Sequence, residues 1–170
     1  MLLFTILIAF SLFSVMAIAQ NETVGTVIIV NGGDISNIDA AIAAGISAGT
    51  GVPVLYTDYG DISTDLQNQL KDLNVENVVI IGGSAVVSEN IESSFEELGY
   101  DVTRLHGTTA TGTAVEAIEY FYGPGTLDEV SLVKYEGDTV QDYGTVLTLA
   151  AELGNPIIPI PSDVEGLPGE

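Results

Sequence analysis

The sequence predicts an α/β fold: an open, mostly parallel sheet of about six strands with helices on both faces. Short runs of β-branched residues alternate along the chain with segments of helical spacing, which is typical of parallel strands joined by right-handed crossovers. A pattern of strand, polar turn, small-residue helix, Gly-x-Pro turn and strand also occurs twice. Its two copies lie 103 residues apart, so that Val27 matches Val130 and Asp39 matches Asp142.

The strands are predicted from short aliphatic runs, which suit strands buried on both faces of a sheet. The fourth run is less apolar than the others, which favours an edge position. Pro159 and Pro161 favour an edge position for the sixth run as well, because proline cannot donate to a sheet ladder. The predicted strands are residues 27–30, 52–56, 78–81, 102–105, 130–133 and 156–160.

Five helices are predicted between these strands, and two of them have a serine in position to cap the first turn. Ser63 and Ser88 are the predicted N-caps, and Gly99 is the residue expected to end the third helix. The alternation as a whole predicts a Rossmann-like or flavodoxin-like topology. The predicted helices are residues 37–50, 64–73, 88–97, 113–121 and 140–153.

Residues 1–19 carry no charged side chain and end in Ala17-Ile18-Ala19. A small-residue ending of this kind predicts a secretory signal peptide cleaved after Ala19. The segment is also about long enough to span a bilayer. An uncleaved N-terminal hydrophobic helix, acting as a membrane anchor or packing in a filament core, is therefore the alternative.

The predicted domain organisation follows from this leader: residues 20–26 form a linker, 27–161 the α/β domain and 162–170 a tail. Asn21-Glu22-Thr23 is an N-glycosylation acceptor in that linker. Glycosylation at Asn21 and an unmodified polar linker both stay open.

The charge balance excludes several classes of partner. Asp and Glu total 24 and Lys and Arg total 3, for a net charge of −21. Nucleic acid, anionic lipid and anionic polymers are all disfavoured, because binding them needs cations. Repulsion within such a surface is screened at 1 M salt, where the Debye length is about 3 Å. The composition thus predicts either adaptation to high salt or an ordinary acidic secreted protein.

The chain has no cysteine, which excludes disulfides and thiolate metal sites.

The default binding site of an open α/β sheet is the crevice at the carboxyl ends of its strands. The acids Asp34, Asp58, Asp61 and Asp138 could offer oxygen ligands to Ca²⁺ or Mg²⁺, but their spacing does not match an EF-hand loop. Solvated loop acids are the favoured interpretation, and no cofactor is predicted. The residues expected in the crevice are Asp34, Asp58, Asp61, Ser84, His106, Lys134 and Asp138.

The motifs of enzymes are incomplete in this chain. Asn31-Gly32-Gly33 and Gly82-Gly83-Ser84 follow strands but complete neither phosphate-binding fingerprint. His106 is the single histidine, and no G-x-S-x-G elbow is present. Gly82 also stands where a response-regulator receiver would need an aspartate. The sequence therefore predicts a protein that is not an enzyme.

Much of the chain resembles the type 2 cell-wall-binding repeat. The resemblance lies in VIIVNGGDISNIDAAIAA, VPVLYTD, NVENVVIIGGSAVVSENIESSFEELGYDVTRLHG and TAVEAIEYF, and residues 130–168 resemble the first half of a second repeat. The family's Arg-Tyr pair before the fourth helix is replaced here by Ala110 and Thr111. The residues that stand at the family's motif positions are Asp39, Gly82, Gly83, Arg104 and Gly107, with Asp142 in the second copy.

The resemblance implies a secreted, extracellular protein of the cell surface. Such repeats occur in surface-layer proteins, adhesins and wall-anchored enzymes, and they hold a protein on the envelope by binding an anionic wall polymer. The function expected here is a non-enzymatic module for envelope attachment, adhesion or surface assembly. Its partner is an envelope polymer or other surface subunits, with a homo-oligomer left open and with any membrane contact made through residues 1–19. The altered pair and the acidic surface imply that the ligand has changed. A filament subunit that retains residues 1–19 is the alternative.

Overall fold

The computed structural model describes residues 24–33, 38–137, 139–140 and 142–163. The predicted leader, the N-terminal helix, Asn21, Asp34, Asp138 and most of the predicted tail lie outside the described residues. Within the described residues the chain forms five helices and seven strands. None of these helices is long and apolar enough to cross a membrane.

Four strands form a parallel sheet in the order β2-β1-β3-β4. They are β1 (Thr26–Asn31), β2 (Val54–Thr57), β3 (Asn77–Ile81) and β4 (Asp101–Leu105). All three pairings are parallel, as predicted. The less apolar strand β4 lies at an edge, which confirms the position inferred from its composition.

Helices cover both faces of this first sheet, as the aliphatic strands require. Side chains alternate along β1: Ile28 and Val30 join the core under α1 (Ile38–Thr50) and α4 (Ala110–Tyr122). Val27 and Ile29 point the other way, into the core under α2 (Thr64–Asp72) and α3 (Glu89–Glu97). All four β1 side chains are fully buried, because period-two alternation supplies both layers from one strand.

The helix ends follow the predicted capping chemistry. The Ser63 hydroxyl accepts a hydrogen bond from Leu66 N, and the Ser88 hydroxyl accepts one from Ile91 N. Gly99 follows α3 with φ of +92°, a left-handed conformation that glycine adopts without strain. Both predicted N-caps and the predicted helix end are confirmed.

The prediction of a single sheet of about six strands is wrong. Strands β5 (Ser131–Glu136), β6 (Thr139–Val140) and β7 (Ile157–Pro161) form a second sheet in the order β6-β5-β7. Strand β7 packs against α1 and α4 instead of extending either edge of the first sheet. Gly45 of α1 permits this approach: a Cβ there would lie 2.7 Å from the Ile157 nitrogen. The position of β7 at a sheet edge is as predicted.

The internal repeat is confirmed by strand register. Ile28 is paired with Val54 in the first sheet, and Ser131 is paired with Ile157 in the second. Both members of the second pair lie 103 positions after their counterparts. Strand β5 is therefore the counterpart of β1, and β7 is the counterpart of β2.

Two predicted helix boundaries need correction. The fifth helix, α5 (Tyr143–Leu153), begins three residues later than expected, because Thr139 and Val140 pair antiparallel with the end of β5. The fourth helix begins earlier, at Ala110, because Thr109 caps it. A hydroxyl cap fixes a helix start more firmly than apolar spacing does.

Candidate functional site

The clearest candidate site is a cleft of about 330 Å³ at the carboxyl ends of β1, β3 and β4. It lies beside the first turns of α1 and α4, at the edge of the sheet where parallel α/β folds bind ligands. The sequence predicted this location. The cleft is lined by Ile38, Asp39, Gly83, Ala85, Val86, Gly107, Thr108, Thr109, Ala110 and Thr113.

Asp39 lines the cleft and lies close to Gly82, the residue that follows β3. Gly82 has φ of +126°, and a Cβ at this position would lie 2.8 Å from Asp39 Oδ2. Only glycine therefore fits between β3 and the carboxylate. Gly82 also donates its backbone N–H to Leu105 O at 3.0 Å, which ties it to β4.

The Asp39 carboxyl is largely removed from water, and this burial raises its pKa to about 6. Asp39 lies in the first turn of α1, where the helix dipole favours a negative charge. Desolvation outweighs that contribution, since burial disfavours the ionised form of a carboxylic acid. The carboxyl therefore changes charge near pH 6.

Asn31 fixes the loop at the end of β1. Its side chain is 5% exposed, and Nδ2 donates to Val86 O at 2.6 Å. Its Oδ1 accepts from Gly33 N at 2.6 Å. The Asn31-Gly32-Gly33 turn is thus tied to the loop after β3, whose residue Val86 lines the cleft.

Two threonines build the opposite wall, and sequence reasoning missed both. Thr109 Oγ1 accepts from Gly112 N at 3.0 Å and caps α4. Thr113 is 4% exposed, and its Oγ1 accepts from Gly107 N at 3.0 Å. A Cβ at Gly107 would lie 2.5 Å from the Gly112 carbonyl carbon. The signal was available in the run Thr108-Thr109-Ala110-Thr111-Gly112-Thr113, which places hydroxyls just before an apolar helix.

Arg104 lies behind the cleft and is fully engaged by the protein. Its Nε donates to Glu92 Oε2 at 2.8 Å, and Nη1 donates to Gly82 O at 2.8 Å. Nη2 donates to Ser88 O at 3.3 Å. With a side chain 9% exposed, the guanidinium is used to hold the loop after β3 and is not presented to a ligand.

The other predicted site residues do not gather at the cleft. Ser84 and His106 are exposed near the same ends of β3 and β4, whereas Asp58 and Asp61 are exposed on the loop after β2. Lys134 lies on β5 in the second sheet. The described residues contain no group of three or more His, Asp or Glu side chains arranged to hold a metal ion.

Asp142, the counterpart of Asp39, has a different role. It precedes α5 in a left-handed conformation with φ of 49°, and its side chain makes no capping hydrogen bond. The second copy therefore does not reproduce the carboxyl wall of the first. The cleft belongs to the first copy and to α4.

The chemistry of the cleft is that of hydroxyls, one carboxyl and backbone groups. No lysine or arginine lines it among the described residues, and the nearby Arg104 is already bonded. Such a surface can exchange hydrogen bonds with hydroxylated ligands. It offers no cation to phosphate or carboxylate groups.

Comparison with known proteins supports the resemblance seen in the sequence. Residues 14–92 match the family Cell wall binding domain 2 (CWB2). The N-acetylmuramoyl-L-alanine amidase LytC of Bacillus subtilis (strain 168) is 29% identical over 137 residues. An uncharacterised protein of Pyrococcus abyssi (strain GE5 / Orsay) is 35% identical over 130 residues.

Solved structures share the fold. Cwp6 from Clostridium difficile superposes with a TM-score of 0.65 at 25% identity over 84% of this chain. Cwp8 from Clostridium difficile superposes with a TM-score of 0.67 at 22% identity over 85% of this chain. The latter likeness is evidence of fold alone.

The matches cover most of this chain but only part of each relative. The aligned region is 81% of this chain and 26% of the amidase, and 74% of this chain and 38% of the Pyrococcus protein. It is 22% of Cwp6 and 24% of Cwp8. The similarity is therefore to one part of larger proteins.

Proposed function

We propose that this chain is a non-enzymatic surface-attachment module, because its residues 14–92 match the family Cell wall binding domain 2. The cleft at the ends of β1, β3 and β4 is the proposed site for a cell-envelope polymer. The observation that carries the proposal is this cleft, formed by the motif residues Asp39, Gly83 and Gly107 together with the α4 N-terminus.

The proposed ligand is a neutral, hydroxylated polymer. The net charge of −21 repels a polyanion, and Arg104 near the cleft is bonded to Glu92 and to two carbonyl oxygens. Hydroxyl groups of a glycan can both donate to Asp39 and accept from Thr109 or Thr108. A polymer rich in phosphate would find no such partner for its charge.

The two positions that depart from the family pattern fit this change of ligand. Ala110 lines the cleft with a methyl group. Thr111 Oγ1 donates to Pro159 O at 2.6 Å and so binds the second sheet instead of a ligand. Neither position supplies the cation or the aromatic ring that the family's Arg-Tyr pair would supply.

The absence of catalytic activity is part of the same proposal. The cleft residues Asp39, Thr109 and Thr113 include no nucleophile hydrogen-bonded to a general base among the described contacts. The match to the amidase LytC covers 26% of that protein. The family that matches residues 14–92 is described as a binding domain. Attachment is therefore the activity assigned to this part of the molecule.

The finer features of the proposal concern the setting of the module. The predicted leader favours a location outside the cell, where the module would act in adhesion or surface assembly. The acidic surface favours a high-salt environment. The alternative of a filament subunit rests on residues 1–19, outside the described residues. Mass spectrometry of the native N-terminus separates the two, because a chain that begins at Gln20 has lost the segment that a filament core would need.

The cleft is tested by blocking it. We propose a cosedimentation assay with envelope fractions at native salt, using wild-type protein, Thr108→Arg and the matched control Thr64→Arg. Thr108 lines the cleft, whereas Thr64 starts α2 on the far side of the sheet; both residues are exposed. The two variants carry the same added charge.

The expected result is that Thr108→Arg binds the neutral glycan fraction at least tenfold more weakly, while Thr64→Arg binds like the wild type. Equal binding by all three proteins would contradict the assignment of the cleft as the binding site. Stronger binding of Thr108→Arg to an acidic fraction would overturn the neutral ligand. Wild-type protein that stays in the supernatant with every fraction would contradict attachment itself.

A further inference from the structure

The second copy of the repeat lies against the helices whose first turns line the cleft. Its strand β7 packs on both α1 and α4, and residues from the start of each helix line the cleft. Helix α4 contacts β7 and α1 far more extensively than it contacts β4, the strand that precedes it. The position of α4, and with it the width of the cleft, is therefore set largely by α1 and β7.

Close approaches at two glycines seat the second copy on α1. Gly45 and Gly49 are four residues apart and so share one face of the helix. A Cβ at Gly45 would lie 2.7 Å from Ile157 N. A Cβ at Gly49 would lie 2.6 Å from Gly154 O, just before β7. Backbone therefore packs directly on backbone, which leaves β7 little freedom to shift relative to α1.

One side-chain hydrogen bond joins α4 to the same strand. Ser162 N donates to Tyr135 O of β5, and because peptide groups alternate in direction along a strand, the Pro159 carbonyl points away from β5. Thr111 Oγ1 donates to that carbonyl at 2.6 Å. Since Pro159 is buried, removing the Thr111 hydroxyl would take a hydrogen bond from an acceptor that water cannot readily reach.

Thr111 belongs to the first turn of α4, beside residues that line the cleft. Ala110 and Thr113 are its lining neighbours, and Thr113 Oγ1 also accepts from Gly107 N at 3.0 Å. Helix ends fray because the N–H groups of the first turn have no acceptor within the helix. The bond from Thr111 to β7 therefore holds in place the turn from which one side of the cleft is built.

We propose that Thr111 is a positioning residue for the cleft, and that the second copy braces the site of the first copy instead of forming a second site. Asp142 agrees with this division of roles, because it adopts a left-handed conformation without a capping bond and does not reproduce the wall made by Asp39. The ligand of the cleft rests on the proposed function. The brace rests on the contacts of Thr111 and Gly45, so the two can fail separately.

The brace links ligand binding to the docking of the second sheet. A ligand that contacts Asp39 on α1 and Thr109 on α4 fixes the spacing of the two helices on which β7 also packs. Binding and docking should therefore favour each other, and the coupling acts equally in both directions. Loosening β7 should weaken binding, and binding should slow hydrogen exchange in β7.

The brace is tested without ligand by residue-resolved hydrogen exchange of the full chain. Thr111→Val removes the hydroxyl but keeps the shape and a similar helix propensity, whereas Thr111→Ser keeps the donor. Thr126→Val is the matched control, because it removes a hydroxyl bond to Gly123 O at the far end of α4. Gly45→Ala is a second route to the same effect, since the added methyl displaces β7 from α1 without changing α4.

The reporters are the Gly107 and Gly112 amides, whose bonds to threonine hydroxyls close the cleft end of α4. Both amides should exchange about fivefold or more faster in Thr111→Val and in Gly45→Ala than in the wild type. They should stay within about twofold of the wild-type rate in Thr111→Ser and Thr126→Val. Unchanged exchange in Thr111→Val, or equal acceleration in Thr126→Val, would overturn the brace.

Binding of the neutral glycan fraction tests the positioning role. Thr111→Val should bind about fivefold or more weakly than the wild type, and Thr111→Ser should bind like the wild type. Circular dichroism at the assay temperature ensures that every variant compared is folded. Faster exchange in Thr111→Val with unchanged binding would overturn the positioning role.

The coupling is measured in the wild type with solubilised glycan, which should slow exchange of the β7 amides. Equal exchange with and without bound glycan would overturn the coupling. If the wild type binds no envelope fraction, the proposed attachment fails. Exchange of the unliganded chain then still decides whether the second copy braces the cleft.

Discussion

Replacing Asp39 with asparagine removes a carboxyl whose pKa is raised by burial to about 6. An unfolded aspartate titrates near 3.9, so the folded state holds its proton more tightly by about two units. The wild type is therefore fully stabilised below about pH 4 and loses stability as the pH rises to about 6. The asparagine side chain of the variant resembles the protonated carboxyl in shape and has no charge to desolvate.

The expected magnitude follows from the size of that shift. One pKa unit corresponds to about 1.4 kcal/mol, so two units give about 3 kcal/mol. Residual solvent contact at the cleft reduces this to about 2–3 kcal/mol. For a domain of this size the corresponding change in Tm is about 4–12 °C. Asp39→Asn should match the wild type near pH 4 and exceed its stability by this amount near pH 7.5.

The assay is urea unfolding of both proteins between about pH 4 and pH 7.5 at about 1 M NaCl, where the repulsion among the other acids is screened. The difference between the two proteins isolates Asp39, since every other titrating group is shared. Asp101→Asn, at the exposed opposite end of β4, is the matched control and should show no such rise. A difference independent of pH, or a wild type that gains stability relative to the variant above pH 6, would refute the desolvation argument.

The remaining predictions concern the contacts that hold the site and the second sheet. Arg104→Met removes the 2.8 Å bond to Glu92 and two bonds to carbonyl oxygens, so it should lower the free energy of unfolding by about 2–4 kcal/mol in urea titrations. Gly45→Ala places a methyl group 2.7 Å from the Ile157 nitrogen, so it should cost about 1–3 kcal/mol despite the better helix propensity of alanine. Hydrogen exchange of β7 amides should accelerate in the Gly45→Ala variant.

Matched controls separate these effects from a general sensitivity to substitution. Lys71→Met changes an exposed basic residue and should alter stability by less than about 0.5 kcal/mol. Gly144→Ala lies in α5 with no atom near the added methyl, so it should stabilise by up to about 1 kcal/mol. A loss in Lys71→Met as large as that in Arg104→Met, or a stable Gly45→Ala, would contradict the assigned contacts.

The secondary structure was accessible from the sequence because its signals are local. The aliphatic run at 27–30 and the Ser63 and Ser88 caps depend only on neighbouring residues, and each forms as predicted. The 103-residue repeat was also visible, because Gly51 and Gly154 end equivalent helices in the same left-handed conformation. The first residue of a helix was predicted less accurately where a capping residue such as Thr109, and not the apolar spacing, set the helix start.

The cleft was located by a general rule, but its members were only partly foreseen. The carboxyl ends of parallel strands meet at one edge of a sheet, and the predicted residues Ser84 and His106 are the chain neighbours of the lining residues Gly83 and Gly107. Thr109 and Thr113 were missed because their hydroxyl contacts depend on how α4 approaches Gly107. The engagement of Arg104 by Glu92 was equally invisible, since the two residues meet only after α3 packs on β4.

What the sequence determined by itself was the order of most strands and helices, the repeat and the acidic net charge, because periodicity, capping and charge are properties of the chain. The tertiary structure alone decided that β5 and β7 form their own sheet, that the Asp39 carboxyl is desolvated and that Leu132 is uncovered. The sequence of an aliphatic strand does not specify which sheet edge it will pair with or which helix will cover its face. That choice is made by contacts between distant residues, such as Gly45 with Ile157, whose free energy exists only once the packed layers have come together.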